Sequence, residues 1–141
     1  MNSTLAVNWG KWLAVYFASQ GKHNPFLLAT KFGWRVVLEN AEAPGAFIPA
    51  RYAEWDGRER RISLFVCMLR RLTNSANVLH RACAHEVFHG LAAVDYRMLQ
   101  LPPESIPRLN HCEEEIAAQV FSETLINSYR EEETCPLSAS R

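Results

Sequence analysis

Net charge is the first feature that this sequence lacks, since its 141 residues carry 15 lysines and arginines against 15 aspartates and glutamates. Proteins that bind nucleic acid need a basic surface for phosphate contacts, and no helix-turn-helix or zinc-finger pattern is present. The basic runs "RERR" (58–61) and "MLRR" (68–71) are typical of a solvated strand edge. We therefore expect no direct contact with nucleic acid and a partner that is recognised through shape.

Closely spaced cysteines are also missing. Four cysteines are spread widely along the chain without any C-x-x-C pair: Cys67, Cys83, Cys112 and Cys135. A small secreted protein held together by disulfides has a denser and more regular pattern. The spacing therefore indicates reduced thiols rather than a disulfide framework.

Long hydrophobic runs are absent as well. The longest early apolar stretch, residues 5–18, is interrupted by Asn8 and Lys11, and no basic region precedes it. It is too short to span a bilayer and does not have the layout of a secretory signal. We expect a cytoplasmic protein with no membrane partner.

Internal repeats, low-complexity blocks and linkers are not found either, which favours one domain over residues 1–133. Apolar residues at helical spacing predict an N-terminal amphipathic helix over about residues 5–19. The core of the domain is expected over about residues 24–130, beginning with a short helix that Asn24 caps. Residues 134–141 have little to bury and are expected to form a flexible tail.

The middle of the chain changes from helical to extended periodicity. Three segments predict strands: "WRVVLE" (34–39), "AFIPARYAEW" (46–55) and "RERRISLFV" (58–66). The dipeptide Asp56-Gly57 between the last two favours a type I′ hairpin turn. We expect a short three-stranded, largely antiparallel sheet.

Helical periodicity returns over about residues 74–94 and again over about residues 110–129. The fold class is therefore α+β. We expect a small domain in which the sheet packs against these two helices, with the N-terminal helix added to them.

The stretch "AHEVFHG" (84–90) carries the strongest chemical signal. At about 100° per residue, His85 and His89 lie about 40° apart on a helix, so that one cation can bridge both imidazoles. Glu86 lies on the flank of that face, where it can take a proton from a metal-bound water. This is the His-Glu-x-x-His arrangement of zinc hydrolases, and it predicts zinc as the cofactor.

A catalytic zinc site needs a third protein ligand, and two candidates compete for that place. Asp95 lies six residues beyond His89, as in the metzincin pattern, but Ala92 replaces the glycine that would break the helix. Glu115 lies in the acidic run "CEEEIAAQVFSE", and its helix face carries small or hydrogen-bonding residues. We favour Glu115 and read Glu113 and Glu114 as a solvated helix start.

With Glu115 as the ligand, Gln119 also has a possible role in the site. One turn after Glu115, its side chain could accept the second ring N–H of a zinc-binding histidine. Taking Glu113 or Glu114 as the ligand would put an alanine there instead.

The motifs "ACAHEVFHG" and, about twenty-five residues later, "EEEIAAQVFSETLI" resemble the ImmA/IrrE family of small zinc metallo-endopeptidases. The upstream segments "NPFLLATKFGWRVVLE" and "RRISLF" are similar to that family's first helix and strands. The resemblance covers about residues 24–127. Two positions depart from the family pattern: Gln119 stands where asparagine is common, and Phe88 where glycine is common and where its ring is expected to narrow access.

The resemblance implies a small zincin-like domain, in which the helix over about residues 74–94 is the active-site helix and the helix over about residues 110–129 bears a further ligand. It implies that His85, His89 and Glu115 are the zinc ligands and that Glu86 is the catalytic base. It also implies that the substrate is a separate protein, a helix-turn-helix transcriptional repressor. A non-catalytic, zinc-stabilised domain that binds and regulates a partner remains the alternative. The donor that stabilises the oxyanion is left open among Tyr96, His111 and Tyr129.

Overall fold

The structure is a computed structural model that describes residues 2–39, 52–66, 69–70, 77–94, 101–102 and 105–133, the last five as backbone only. Within these residues the elements are α1 (Ser3–Ala18), α2 (Pro25–Lys31), β1 (Arg35–Glu39), β2 (Ala53–Asp56), β3 (Arg61–Phe65), α3 (Val78–Ala93) and α4 (His111–Glu133). The fold class is α+β, as the sequence predicts. The tail, residues 134–141, lies outside the described residues.

The three strands form one mixed sheet in the order β1-β3-β2. The β2–β3 hairpin is antiparallel, as predicted, with Ala53 opposite Leu64 and Asp56 opposite Arg61. The expectation of a largely antiparallel sheet is wrong for β1, which runs parallel to β3. Strand patterns in a sequence identify a strand but not its neighbour or its direction. The sequence therefore does not predict where β1 lies in the sheet.

The hairpin connection is longer than the sequence suggests. Because Asp56 pairs with Arg61, four residues join the strands, and the predicted type I′ turn at Asp56-Gly57 is wrong. The Asp56 carboxylate accepts hydrogen bonds from the backbone N–H groups of Arg58 (3.0 Å) and Glu59 (3.3 Å). Arg60 takes the left-handed conformation with φ 49°, which turns the chain into β3.

Asparagine side chains cap the first two helices, and the cap at Asn24 is the one that the sequence predicts. The side chain of Asn2 accepts from the backbone N–H of Leu5 (3.0 Å) at the start of α1, and Asn24 accepts from Phe26 (2.9 Å) at the start of α2. Gly33 follows α2 with φ 81°, a conformation in which other residues are strained. The helix therefore ends there and the chain turns into β1. None of the helices in the described segments is long and apolar enough to cross a bilayer.

Helix α1 packs against α4 through small residues. Gly10 lies so close to α4 that an added Cβ would be 2.5 Å from the carbonyl oxygen of Ala117. Ala6 and Ala14, which flank Gly10 on the same face of α1, are fully buried together with Ala117. This contact fixes α4, which carries the acidic run, against the rest of the fold.

Helix α3 lies between the sheet and α4, with an apolar face in the core. Ala84, Val87 and Leu91 are fully buried, and Phe88 packs against Phe121 of α4 with ring centroids 5.7 Å apart. The expectation that Phe88 narrows access to the site is therefore wrong, because its ring points into the core. Burial of this face leaves the histidine face of α3 turned towards the first residues of α4 and towards β2.

Candidate metal centre

Two histidines from α3 and one glutamate from α4 converge. Nε2 of His85 lies 3.3 Å from Oε2 of Glu115, and Nε2 of His89 lies 2.9 Å from Oε1 of the same carboxylate. One ligand atom from each of the three residues lies within 4.8 Å of the other two. The structure therefore brings together the three residues that the sequence analysis proposes as ligands.

This donor set fits a divalent transition-metal ion. Two imidazole nitrogens and one carboxylate oxygen are typical ligands of zinc, with bond lengths of about 2.0–2.2 Å. Around a tetrahedral ion with such bonds, neighbouring ligand atoms lie about 3.3 Å apart. The distances from the Glu115 oxygens to the two Nε2 atoms, 3.3 and 2.9 Å, are close to that separation.

Glu114 fixes the orientation of His89, a role that the sequence analysis missed. Oε2 of Glu114 lies 2.6 Å from Nδ1 of His89. Because an ionised carboxylate only accepts hydrogen bonds, this contact favours a hydrogen on Nδ1. The lone pair of Nε2 would then be available to an ion that replaces the direct contact of Nε2 with Glu115. The signal that could have found Glu114 is the need of a ligand histidine for an acceptor at its second nitrogen, next to an acidic run.

Gln119 makes the contact that its spacing suggests. Its side chain hydrogen-bonds to His85, which favours the protonated ring. Because the contact favours the protonated ring, which only donates, the carbonyl oxygen of Gln119 accepts from His85, while its Nε2 donates to Oε1 of Glu123 at 2.8 Å. Burial and the neighbouring His89 lower the pKa of His85, and the first of these effects is the larger. A half-buried imidazole whose pKa is lowered from its ordinary 6.5 is mostly neutral at pH 7, as a metal ligand must be.

Glu86 is buried beside this group, on the inner flank of α3. Only 8% of its surface is exposed, and its carboxylate accepts a hydrogen bond from the backbone N–H of Trp55 in β2. Burial raises the pKa of Glu86 to about 7, with further contributions from the charges of Glu115 and Glu54. The backbone contact with β2 was not readable from the sequence, since it depends on where the hairpin lies against α3.

Glu113 does not face solvent, which corrects the reading of the acidic run as a solvated helix start. Its carboxylate accepts from the backbone N–H of Asn110 (2.9 Å), while the side chain of Asn110 accepts from the N–H of Glu113 (2.8 Å). This reciprocal pair is a capping box. Glu113 also accepts from the backbone N–H of Asn2, so it ties the start of α4 to the start of α1. The three consecutive glutamates thus have three different roles.

A cleft with a volume of about 900 Å³ opens over the candidate ligands. Its walls come from β2, α3 and the first turns of α4, and they include His85, Glu86, His89, Glu114, Glu115, Gln119, Trp55, Arg81 and His111. Such a volume is typical of ligand-binding sites in proteins.

The remaining candidates from the sequence are placed as follows. His111, one of the three proposed oxyanion donors, lies in the wall of the cleft. Tyr96 and the side chain of Tyr129 lie outside the described part of the chain, and so does Asp95. Helix α3 ends at Ala93, so the continuing helix assumed in weighing Asp95 is not observed.

No protein-family model, curated protein or solved structure matches this chain. The resemblance to the ImmA/IrrE family therefore stays a prediction that rests on the two motifs. The case for a function depends on the geometry of the site.

Proposed function

We propose that this chain is a zinc-dependent endopeptidase. The observation that carries the proposal is the convergence of His85, His89 and Glu115 from two helices, with the buried carboxylate of Glu86 beside them. A purely structural zinc site uses four protein ligands and has no need of an adjacent buried carboxylate. Three ligands leave a position open for a reactant, as in catalytic sites.

His85, His89 and Glu115 would hold the ion through two Nε2 atoms and one carboxylate oxygen. Zinc, when bound, acts as a Lewis acid that polarises the scissile carbonyl and lowers the pKa of a coordinated water molecule. Glu114 keeps Nδ1 of His89 protonated, and Gln119 likewise accepts a hydrogen bond from the ring of His85.

Glu86 is the proposed general base. A carboxyl group with a pKa of about 7 is matched to accepting a proton at neutral pH and returning it to the leaving amine. The N–H of Trp55 holds the carboxylate in one orientation, which is what a base must have to meet the attacking water. A nearby cation would favour the charged form that acts as base.

A polypeptide substrate suits the cleft because β2 forms one of its walls. The backbone oxygen of Tyr52 accepts from Phe65 in β3 (3.0 Å), so the alternate residue Ala53 directs its N–H and C=O away from β3. An extended peptide can pair with such an edge through main-chain hydrogen bonds. By the resemblance to the ImmA/IrrE family, the substrate is a separate helix-turn-helix repressor in the cytoplasm.

The direct test compares the wild type with Glu86→Gln on a candidate repressor and on a mixture of synthetic peptides, with zinc content measured in both proteins. We expect both proteins to bind zinc and only the wild type to cleave. Glu59→Gln, a matched change of an exposed glutamate in the hairpin connection, serves as the control and should cleave like wild type. If the wild type and Glu86→Gln bind the repressor equally and neither cleaves it or any peptide, the non-catalytic binding domain replaces the peptidase.

A further inference from the structure

Arg81 is a charged residue in the cleft that neither the proposed ligands nor the proposed base involves. It lies four residues before His85 on the same face of α3, which places its backbone about 6 Å along the helix from that ligand. Its side chain lines the cleft. Of the described residues that form the cleft wall, it is the only lysine or arginine.

One N–H donor of the Arg81 guanidinium has no hydrogen-bond acceptor. Its Nε atom is buried and has no hydrogen-bond partner, and no ion pair joins the side chain to any part of the chain that the structure describes. A buried donor without a partner costs free energy, and arginine binds carboxylates through paired N–H groups. The described part of the chain therefore does not supply a partner for Nε, and the guanidinium keeps its charge unpaired among the described residues.

The carboxylates closest to the ligands do not supply that acceptor. Glu114 and Glu115 are bonded to His89 and His85, and Glu86 is held by the backbone of Trp55. Their contacts are fixed within the metal centre. Arg81 therefore keeps its positive charge available at one end of a cleft whose centre is acidic.

The surroundings of Arg81 strengthen any charge pair formed there. Several described residues of the cleft wall are apolar, among them Val78 and Ala82, which lie near Arg81 in the sequence of α3. Opposite charges attract more strongly next to apolar groups than in open water, because the local dielectric constant is lower. A carboxylate that enters the cleft can accept hydrogen bonds from the two terminal nitrogens of the guanidinium, which present a pair of parallel donors.

We propose that Arg81 binds a carboxylate of the substrate, so that the enzyme selects peptides with an acidic group within about two residues of the scissile bond. The range follows from the distance along α3, since an extended peptide advances about 3.3 Å per residue. The carboxylate is that of an aspartate or glutamate side chain or of the substrate's own C-terminus. This inference rests on the proposed peptidase function and names the class of substrate.

The first test is cleavage of a synthetic peptide mixture, rich in all residue types, by the zinc-loaded protein, with products identified by mass spectrometry. In the wild type we expect cleavage near glutamate to exceed cleavage near glutamine about tenfold, as a charge-assisted hydrogen bond supplies. In Arg81→Gln the ratio should fall to about one. Arg58→Gln removes the same charge from an exposed position in the hairpin connection and should keep the wild-type ratio.

Thermal melts of each variant verify folding, and Arg81→Lys is a second variant that keeps the charge without the paired donors. It should retain part of the preference for acidic peptides. If the wild type cleaves the mixture without any preference for acidic residues, the role of Arg81 is overturned while the peptidase function stands. If Arg81→Gln keeps the preference for acidic peptides, the role of Arg81 is likewise overturned while the peptidase function stands.

The second test needs no cleavage and so separates the two proposals. Short peptides capped at both ends and carrying either glutamate or glutamine, and a neutral peptide with a free C-terminus, are titrated into zinc-loaded Glu86→Gln while the arginine Nε–H signals are followed by NMR. Tighter binding of the glutamate peptide, with a shift of the Arg81 signal, supports a side-chain carboxylate; tighter binding of the free C-terminus supports a terminal one. Equal binding of all three peptides overturns the assignment, whatever the activity of the wild type.

Discussion

At the scale of single residues, His89 is the most constrained group of the site. Its ring lies between two carboxylates of α4, with Glu114 at Nδ1 (2.6 Å) and Glu115 at Nε2 (2.9 Å). Only one of the two contacts occupies the nitrogen that would bind an ion. Glu114 therefore acts on the metal through the histidine, whereas Glu115 would bind the metal directly.

This difference predicts different effects for the two glutamates. Glu114→Gln should leave a zinc site of weaker affinity, by about 10- to 100-fold, because the amide accepts more weakly and no longer fixes the tautomer of His89. Competition with a chromogenic chelator measures the dissociation constant. The absorption spectrum of the cobalt-substituted protein should shift in Glu114→Gln and not in Glu59→Gln, and unchanged affinity and spectrum would show that Glu114 has no part in the site.

The sequence alone identifies the two candidate histidine ligands of α3, but not the different contacts that the glutamates of α4 make. The spacing of His85 and His89 fixes their common face, since one helix carries both. Which of three consecutive glutamates reaches them depends on the rotation of α4 relative to α3, which long-range packing decides. The small residues after Glu115 indicate the right register, yet nothing local separates the cap Glu113 from the histidine partner Glu114.

At the scale of elements, the contact between α1 and α4 depends on the missing side chain of Gly10. Replacing Gly10 by alanine improves the helix propensity by about 0.5–1 kcal/mol. The new methyl group would, however, lie 2.5 Å from the carbonyl oxygen of Ala117, and backbone cannot move aside like the end of a flexible side chain. Overpacking of this kind costs about 1–3 kcal/mol or more.

We therefore predict that Gly10→Ala lowers the free energy of unfolding by about 1–2 kcal/mol, the clash outweighing the propensity. Denaturant unfolding measures the change. Lys11→Ala, at the exposed neighbouring position, gains propensity without a clash and should stay within about 0.5 kcal/mol of wild type. A more stable Gly10→Ala protein would mean that the two helices are not packed so closely.

The capping glutamate of α4, Glu113, leads to a prediction about the dependence of stability on pH. Hydrogen bonds from the backbone N–H groups of Asn110 and Asn2 lower the pKa of Glu113 below its ordinary value. A carboxyl group whose pKa is lower in the folded state stabilises the fold above its unfolded pKa of about 4.3, and this stabilisation is lost as the pH falls through the lower, folded value. Glu113→Ala should therefore melt at a lower temperature than wild type at pH 7.

As the pH falls below about 4, the melting temperatures of wild type and Glu113→Ala should approach each other. Glu123→Ala, which removes an exposed glutamate of the same helix far from the cap, should not show this convergence. A difference between wild type and Glu113→Ala that is the same at pH 7 and at pH 3.5 would argue against an ionised cap.

Sequence patterns predict some of these elements and contacts but not others. The Asn24 cap predicts the start of α2, because the side chain and the N–H group that it bonds lie within two residues of each other. The direction of β1 and the four-residue hairpin connection are wrong in the sequence reading, because a strand's neighbour and register depend on contacts far apart in the chain. The backbone contact between Trp55 and Glu86 belongs to this second group.

At the scale of the whole molecule, zinc would join two helices that meet through few charged contacts otherwise. Its ligands lie on α3 and α4, so binding should stabilise the folded state by about 2.7 kcal/mol when free zinc is a hundred times its dissociation constant. The large apolar core around Phe88 and Phe121 does not involve the site. The metal-free protein should therefore remain folded, unlike a zinc finger.

Thermal melts with and without a chelator check this expectation. At pH 7.5 the chelated protein should melt roughly 5 to 10 °C lower. Because protons compete with zinc for the imidazole nitrogens, the difference should shrink as the pH is lowered to 5. Burial lowers the pKa of His85, so this ligand resists protonation longer than an exposed histidine.

The most direct test of the account is the zinc stoichiometry of the purified chain, measured by metal analysis after dialysis against a slight excess of zinc at pH 7.5. The three converging ligands predict a single tightly bound equivalent in the wild type and in Glu86→Gln, and the loss of most of it in Glu115→Ala. Retention of the full equivalent by Glu115→Ala would place the third ligand elsewhere in the chain. A wild type that binds no zinc would contradict the metal centre, and with it the peptidase.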